Sequence, residues 1–255
     1  MLRLKYAARS DVGMIRSGNE DSFYAKDNTA RGVFIVADGM GGHAAGEVAS
    51  EMAVQTVSNE LADLKEIDDA GGASARLAES LRNANRNIHD RMLAESDKQG
   101  MGTTASVLVV DEKHYLIGQV GDSRVYLLRD GALQQITKDH SYVQEQVDAG
   151  FLTPEQAKYH PYSNVITRCV GASAEVEPDV YRGDVRIGDV WLVCSDGLTG
   201  MVDDRRIHTL LMSRAEPERK VHSLISEANG RGGLDNITAI VVHVLGPEDA
   251  PPPPK

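Results

Sequence analysis

The sequence predicts an α+β fold in which antiparallel sheets pack on one another and are covered by helices. Three β-rich runs, 103–110, 114–120 and 124–128, follow each other with only the turns 111–113 and 121–123 between them. Connections that short suit antiparallel neighbours, because parallel strands need a long crossover. Two long helical patterns lie together ahead of these runs, and no regular strand–helix alternation appears, which argues against a doubly wound parallel sheet. A chain of 255 residues, 41% hydrophobic and 25% charged, is long enough for one large domain with a real core.

Taken in order, residues 32–37 (GVFIVA) form a short apolar run ending at Asp38 and read as a buried strand. A glycine-rich turn, 39–43, follows. A helix is expected over about 45–64, with Val48, Met52 and Val57 on its apolar side, and a second over about 73–94, carrying Leu77, Leu81, Ile88 and Met92. After the hairpins come a polar helical stretch, 141–149, and a turn-rich stretch, 151–161. Together, about 139–171 reads as an elaborated insertion, a kind of connection that often carries function. Residues 190–194 form another buried strand ending in Ser195-Asp196-Gly197. Helices are expected near 204–213 and 217–228, then a last strand over 237–245. The closing segment, 247–255, contains four consecutive prolines and reads as a tail or the start of a linker.

Lys and Arg total 27 against 38 Asp and Glu, a net charge of -11. Non-specific nucleic-acid binding needs a basic face, so that class is disfavoured. The two cysteines, Cys169 and Cys194, have neither zinc nor disulfide-framework spacing and are expected to be buried free thiols in a reducing cytosol. The first ten residues lack a signal-peptide apolar run, and no stretch of the sequence is long and apolar enough to span a membrane.

The aspartates carry the chemical signal. Asp38, Asp196 and Asp235 each lie at the edge of an apolar β-run, beside Gly39, Gly197 and Asn236. A carboxylate at a strand mouth next to glycine leaves room for a ligand and for backbone carbonyls. Three converging carboxylates repel unless protonated or bound to a cation, and hard oxygen donors select Mg or Mn. Asp122 adds a fourth. Near the start, Arg16-Ser17-Gly18-Asn19-Glu20-Asp21 reads either as a solvated turn between two strands or as further metal-side oxygens from Glu20 and Asp21. In the second reading Arg16 presents a planar fork suited to phosphate.

The ordered segments RSGNED, VADGMGGHAAGE, GTTA, VGDSRVY, HPYSNVITRCVG, CSDGLT and DNITAIVV resemble the bacterial branch of the metal-dependent protein serine/threonine phosphatases, the type 2C family. The resemblance covers nearly the whole chain. It implies a four-layer α-β-β-α sandwich, two antiparallel sheets flanked by helix pairs, with 1–246 as the catalytic domain and about 139–171 as a flap beside the active site. By similarity, Asp38 bridges two Mn or Mg ions. The carbonyl of Gly39 and Glu20 join one ion, and Asp196 and Asp235 the other. Asp21 orients a metal-bound water, Asp122 with Asp196 holds a third ion, and Asn236 supports Asp235 from behind. Arg16 holds phosphate oxygens. Met40 stands where eukaryotic relatives place a histidine, which leaves His43 either as proton donor to the departing oxygen or as a loop-packing residue. Thr167 and Arg168 either face the cleft or serve the loop, while His140 and His160 are expected as loop hydrogen-bond partners.

The resemblance thus implies hydrolysis of phosphoserine and phosphothreonine on proteins, opposing Ser/Thr kinases. The expected partners are a Ser/Thr kinase and its phosphorylated substrates, and the expected chain is a monomer in the cytoplasm or the cytoplasmic part of a membrane-anchored protein. Other two-metal hydrolases, such as a nuclease or small-molecule phosphatase, use similar carboxylates. A catalytically weak regulatory module of the same fold is the reading from a different class.

Overall fold

Hydrogen bonding sorts the strands into two antiparallel sheets. The computed structural model describes residues 2–28, 31–41, 45–64, 67 and 72–246. One sheet has the order β1 (Arg3–Asp11), β11 (Ile237–Leu245), β10 (Val190–Cys194), β7 (Arg124–Arg129), β8 (Ala132–Gln135). The other runs β2 (Asp21–Asp27), β3 (Arg31–Met40), β5 (Ala105–Asp111), β6 (His114–Val120), β9 (Asp179–Asp184), with the two-residue β4 (Gly102–Thr103) against the end of β3. The helices are α1 (Ala45–Glu60), α2 (Gly72–Ala94), α3 (Tyr142–Asp148), α4 (Pro154–Lys158), α5 (Asp196–Thr199), α6 (Asp204–Leu211) and α7 (Pro217–Gly230).

The continuous apolar runs follow from burial on both faces of each sheet. Along β3, Phe34 and Val36 point between the sheets, where they meet Leu108 and Ile117 of their own sheet and Val125, Trp191, Val193, Ile240 and Val242 of the other. Val33, Ile35 and Ala37 face the opposite way, onto Val57, Leu61, Leu77, Leu81 and Ile88 of the α1–α2 layer. On the far side, Leu192, Cys194, Ala239 and Val241 pack against Leu198, Ile207, Leu224 and Ile225 of the α5–α7 layer. Three apolar seams therefore separate four layers, α-β-β-α. Trp191, fully buried at the centre with the Tyr115 ring 4.7 Å away, anchors the middle seam. Truncating such a residue to alanine typically costs about 3–5 kcal/mol.

Several boundaries differ from the sequence reading, each for a physical reason. The strand expected to end at Ala37 continues to Met40, because β3 changes partner: it pairs with β2 up to Asp38 and with β5 up to Val36, then with β4 at Gly39 and Met40. The single run expected over 103–110 is correspondingly split at Thr104 into β4 and β5. α1 stops at Glu60, where the Arg31 guanidinium donates to the carbonyl of Leu61, just past the helix end, at 2.7 Å. The stretch 151–161 contains α4, started by a capping box between Thr153 and Gln156. Cys194 is buried and free, its thiol pushed up to about 12 by burial, but Cys169 is only half-buried, since it lies in the insertion and not in a sheet. Among the described residues no helix is long and apolar enough to cross a membrane. His43 and the proline segment 247–255 lie outside the described residues.

Candidate metal centre

Both sheets deliver their acidic residues to one end of the sandwich. Asp38 sits where β3 parts from its neighbours, and Asp21, the first residue of β2, is its direct cross-strand partner. Opposed side chains in an antiparallel pair stand about 4.5–5.5 Å apart at Cβ, and like charges there are destabilising. Asp196 follows β10 as the first residue of α5, Asp235 precedes β11, and Asp122 occupies the turn between β6 and β7. Asp38 feels the charges of Asp21, Asp196 and Asp122, and Asp196 feels the Asp235 charge. Asp122 feels Asp196. The five acids therefore form one cluster, with Asp196 within electrostatic reach of Asp21, Asp38, Asp122 and Asp235.

Burial and mutual repulsion raise Asp21, Asp38, Asp122 and Asp196 above the ordinary carboxylate value. Asp21 is pushed up to about 7, first by burial, then by the charges of Asp196 and Asp235. Asp122 is pushed up to about 8 by burial and by Asp196 and Asp139. Asp38 is raised well above its ordinary value by burial and by Asp21, Asp196 and Asp122. Asp196 is raised by burial, with Arg124 and Arg16 pulling it back. Asp21 Oδ2 accepts hydrogen bonds from the hydroxyls of Ser195 (2.8 Å) and Thr238 (2.6 Å), whereas its Oδ1 is buried with no hydrogen-bond partner among the described residues. A buried carboxylate oxygen without a donor, amid four further acids, is the electrostatic environment that a hard divalent cation relieves.

The main chain around these acids is tightly fixed. The Asp38 N–H donates to Thr104 Oγ1 (2.9 Å), and the Asp38 carbonyl accepts from the Thr104 N–H and Thr103 Oγ1, each at 2.9 Å. Thr104 Oγ1 in turn lies 2.7 Å from Ser123 Oγ, next to Asp122. Gly39 has no room for a side chain: a Cβ there would fall 2.1 Å from the Gly46 carbonyl oxygen. The Glu20 carboxyl carbon lies 2.8 Å from where a Gly46 Cβ would be, which places that acid beside Gly39 and the start of α1. The Glu20 N–H donates to Asn236 Oδ1 (2.8 Å), and Asn236 Nδ2 donates to the carbonyls of Val12 and Gly18, both at 2.9 Å. Asn236 thus clamps the 12–20 loop to the root of β11. Arg16 Nη2 meets Asp235 Oδ2 at 2.8 Å, with its side chain about half exposed at 49%.

The structure therefore brings together Asp21, Asp38, Asp122, Asp196 and Asp235, with Arg16, Glu20 and Gly39 at the margin. Among the described residues no three carboxylate, imidazole or thiolate groups form a closed metal site by themselves. Ions of the Mg type complete their octahedra with water and backbone carbonyls, so a full set of side-chain ligands is not required. His140 sits in the loop: its Nδ1 accepts from the Gly121 N–H at 3.1 Å, and Asp179 lies 3.2 Å from Nε2. His160 Nδ1 accepts from the Tyr162 N–H. Arg168 bonds Asp179 and the Glu177 carbonyl, a loop role and not a cleft one. Sequence reasoning missed Thr104, Ser123, Ser195 and Thr238, which hold the acids and their main chain, and the partly buried Arg124–Asp139 pair (2.7 Å) near Asp122 and Asp196. The GTTA, GDSR and CSDG segments contained most of these residues, yet a hydroxyl in a β-run reads simply as a strand former.

The chain resembles known proteins along most of its length. A family profile described as "Protein phosphatase 2C" matches residues 15–228. The serine/threonine protein phosphatase PstP of Mycobacterium tuberculosis is 44% identical over 246 residues, covering 96% of this chain and 46% of its own length. The chain thus spans about half of that relative. The serine/threonine phosphatase stp of Listeria monocytogenes is 39% identical over 92% of this chain and 94% of its own. Among solved structures, the catalytic domain of PstP in complex with two manganese ions superposes with a TM-score of 0.84 at 42% identity, covering 96% of this chain and 100% of that one. The S. agalactiae serine/threonine phosphatase gives 0.88 at 37% identity, covering 94% and 99%.

Proposed function

The chain belongs to the protein phosphatase 2C family, and from that premise we propose that it hydrolyses phosphoserine and phosphothreonine on proteins with two Mn or Mg ions and a third, weaker one. The observation that carries this reading is the convergence of Asp21, Asp38, Asp122, Asp196 and Asp235 at one end of the sandwich, where burial and repulsion make Asp21, Asp38, Asp122 and Asp196 costly to ionise without a cation. Asp38, the Gly39 carbonyl and Glu20 would hold one ion, and Asp38, Asp196 and Asp235 its neighbour. Asp122 and Asp196 would hold the third. When bound, such ions make a water acidic enough to act as nucleophile near neutral pH and offset charge on the phosphoryl group.

The protein's own groups supply the rest. Asp21, pinned at Oδ2 by Ser195 and Thr238, presents its unpartnered Oδ1 to orient the attacking water and accept its hydrogen bond. Arg16 donates one arm to Asp235 and has further N–H groups for the phosphate oxygens, positioning them for in-line attack. Thr104 fixes the main chain of Asp38, so that the carboxylate is preorganised. His43 remains the proposed proton donor to the departing seryl or threonyl oxygen. Residues 139–171 act as a flap beside the cleft, and the partners are phosphorylated proteins, including a Ser/Thr kinase and its targets. The two free cysteines support a reducing, cytoplasmic setting.

Hydrolysis of a phosphothreonine peptide by the purified protein, with MnCl2 and then with excess EDTA, tests the proposal. Turnover that requires Mn and disappears with EDTA supports it. No turnover at any Mn concentration by folded protein would favour the regulatory-module reading.

A further inference from the structure

Four large apolar side chains stand exposed on one rim of the acid cleft: Val12 (38%), Met14 (65%), Ile15 (68%) and Leu234 (57%). They come from two loops that are locked together. The Met14 N–H donates to the Gly233 carbonyl at 2.8 Å, and Met14 Cγ lies 2.8 Å from where a Gly233 Cβ would be. Gly13, at φ +82°, approaches so closely that a Cβ there would meet the Asp235 carbonyl oxygen at 2.2 Å. The Arg16–Asp235 ion pair closes the junction. Ile15 and Leu234 are thus the immediate chain neighbours of the two residues that border the cleft. Turns facing water favour Gly, Asn, Asp, Ser and Pro, for reasons of backbone geometry and local hydrogen bonding. A cluster of large aliphatic side chains there marks a surface that is covered during function.

We propose that this rim, with Ile15 and Leu234 at its centre, is the docking surface for apolar residues flanking the phosphorylated Ser or Thr of the substrate polypeptide. The inference rests on the phosphatase reading, because Arg16 fixes where the phosphate lies. An extended peptide advances about 3.3 Å per residue, so the positions within two or three residues of the phosphorylated one pass over the rim. A permanent partner or second copy seated on Ile15 and Leu234 would also cover Arg16 and close the cleft, which selects the transient substrate chain as the occupant.

The test compares two phosphothreonine peptides that differ only in carrying Leu or Ser on both sides of the phosphoresidue, with 4-nitrophenyl phosphate as a substrate too small to reach the rim. With Mn, the unaltered protein is expected to prefer the Leu peptide in kcat/KM by about tenfold, the effect of one partly buried aliphatic side chain. The double variant Ile15→Ser, Leu234→Ser should lose that preference through a higher KM, with 4-nitrophenyl phosphate turnover unchanged. Equal kcat/KM for both peptides in the unaltered protein, or a preference that survives in the double variant, overturns the rim assignment alone. Absence of Mn-dependent turnover of all three substrates would remove the phosphatase reading, and the rim assignment with it.

Discussion

Replacing Asp122 with asparagine should stabilise the metal-free protein. Asp122 is nearly buried, at 8% exposure, and its carboxyl is pushed up to about 8 by burial and by the charges of Asp196 and Asp139. In the unfolded chain the same group titrates near the ordinary value of 3.8. Folding therefore takes up a proton at neutral pH, and the folded state loses stability as pH rises from the lower value to the higher. At about 1.4 kcal/mol per pH unit, the penalty at pH 8 is on the order of 5 kcal/mol, shrinking to on the order of 3 kcal/mol at pH 6. Part of it is shared with Asp196, so the Asp122→Asn gain in EDTA should be several kcal/mol at pH 8 and clearly smaller at pH 6. Urea unfolding of both proteins at the two pH values, with EDTA throughout, measures it. Equal stability at pH 8, or a gain independent of pH, would refute the claim that burial, reinforced by repulsion from neighbouring acids, makes Asp122 costly to ionise.

Two further substitutions separate the roles around the cluster. Arg16→Ala should raise KM for a phosphopeptide severalfold while costing less than about 1 kcal/mol of stability, since the Arg16–Asp235 pair is substantially exposed; an unchanged KM removes Arg16 from the phosphate site. Thr104→Val leaves the Asp38 N–H and the Ser123 hydroxyl without their partner, so it should destabilise by about 1–3 kcal/mol in urea unfolding and weaken Mn binding. A variant within a few tenths of the parent in stability, with unchanged Mn affinity, would contradict that role.

The sequence made the site more legible than the edges of the fold. Asp38, Asp196 and Asp235 could be found because glycine or asparagine beside a carboxylate at the mouth of an apolar run is a local signal, and the central strands β3, β5, β10 and β11 are apolar on both faces. The edge strands gave no such signal. β1 carries Arg3, Lys5 and Arg9, β8 is four residues long, and β9 reads DVYRGD, so each contributes one half-covered face with weak alternation. Charged and short edges also block pairing with other chains, which is why their composition resembles loops. Asp21, read either as part of a solvated turn or as a metal-side oxygen, is the buried start of β2, facing Asp38 across the ladder. That burial depends on Ser195 and Thr238, more than 170 residues away in sequence, and no local pattern reports it.

The central claim, that this cluster is a shared cation site bridged by Asp38, is tested most directly by titrating Mn into EDTA-stripped protein and into its Asp38→Ala variant by calorimetry. The account predicts at least two Mn ions for the unaltered protein and loss of the paired binding in the variant, whose cooperative unfolding persists. Two ions bound with unchanged affinity by Asp38→Ala would contradict it.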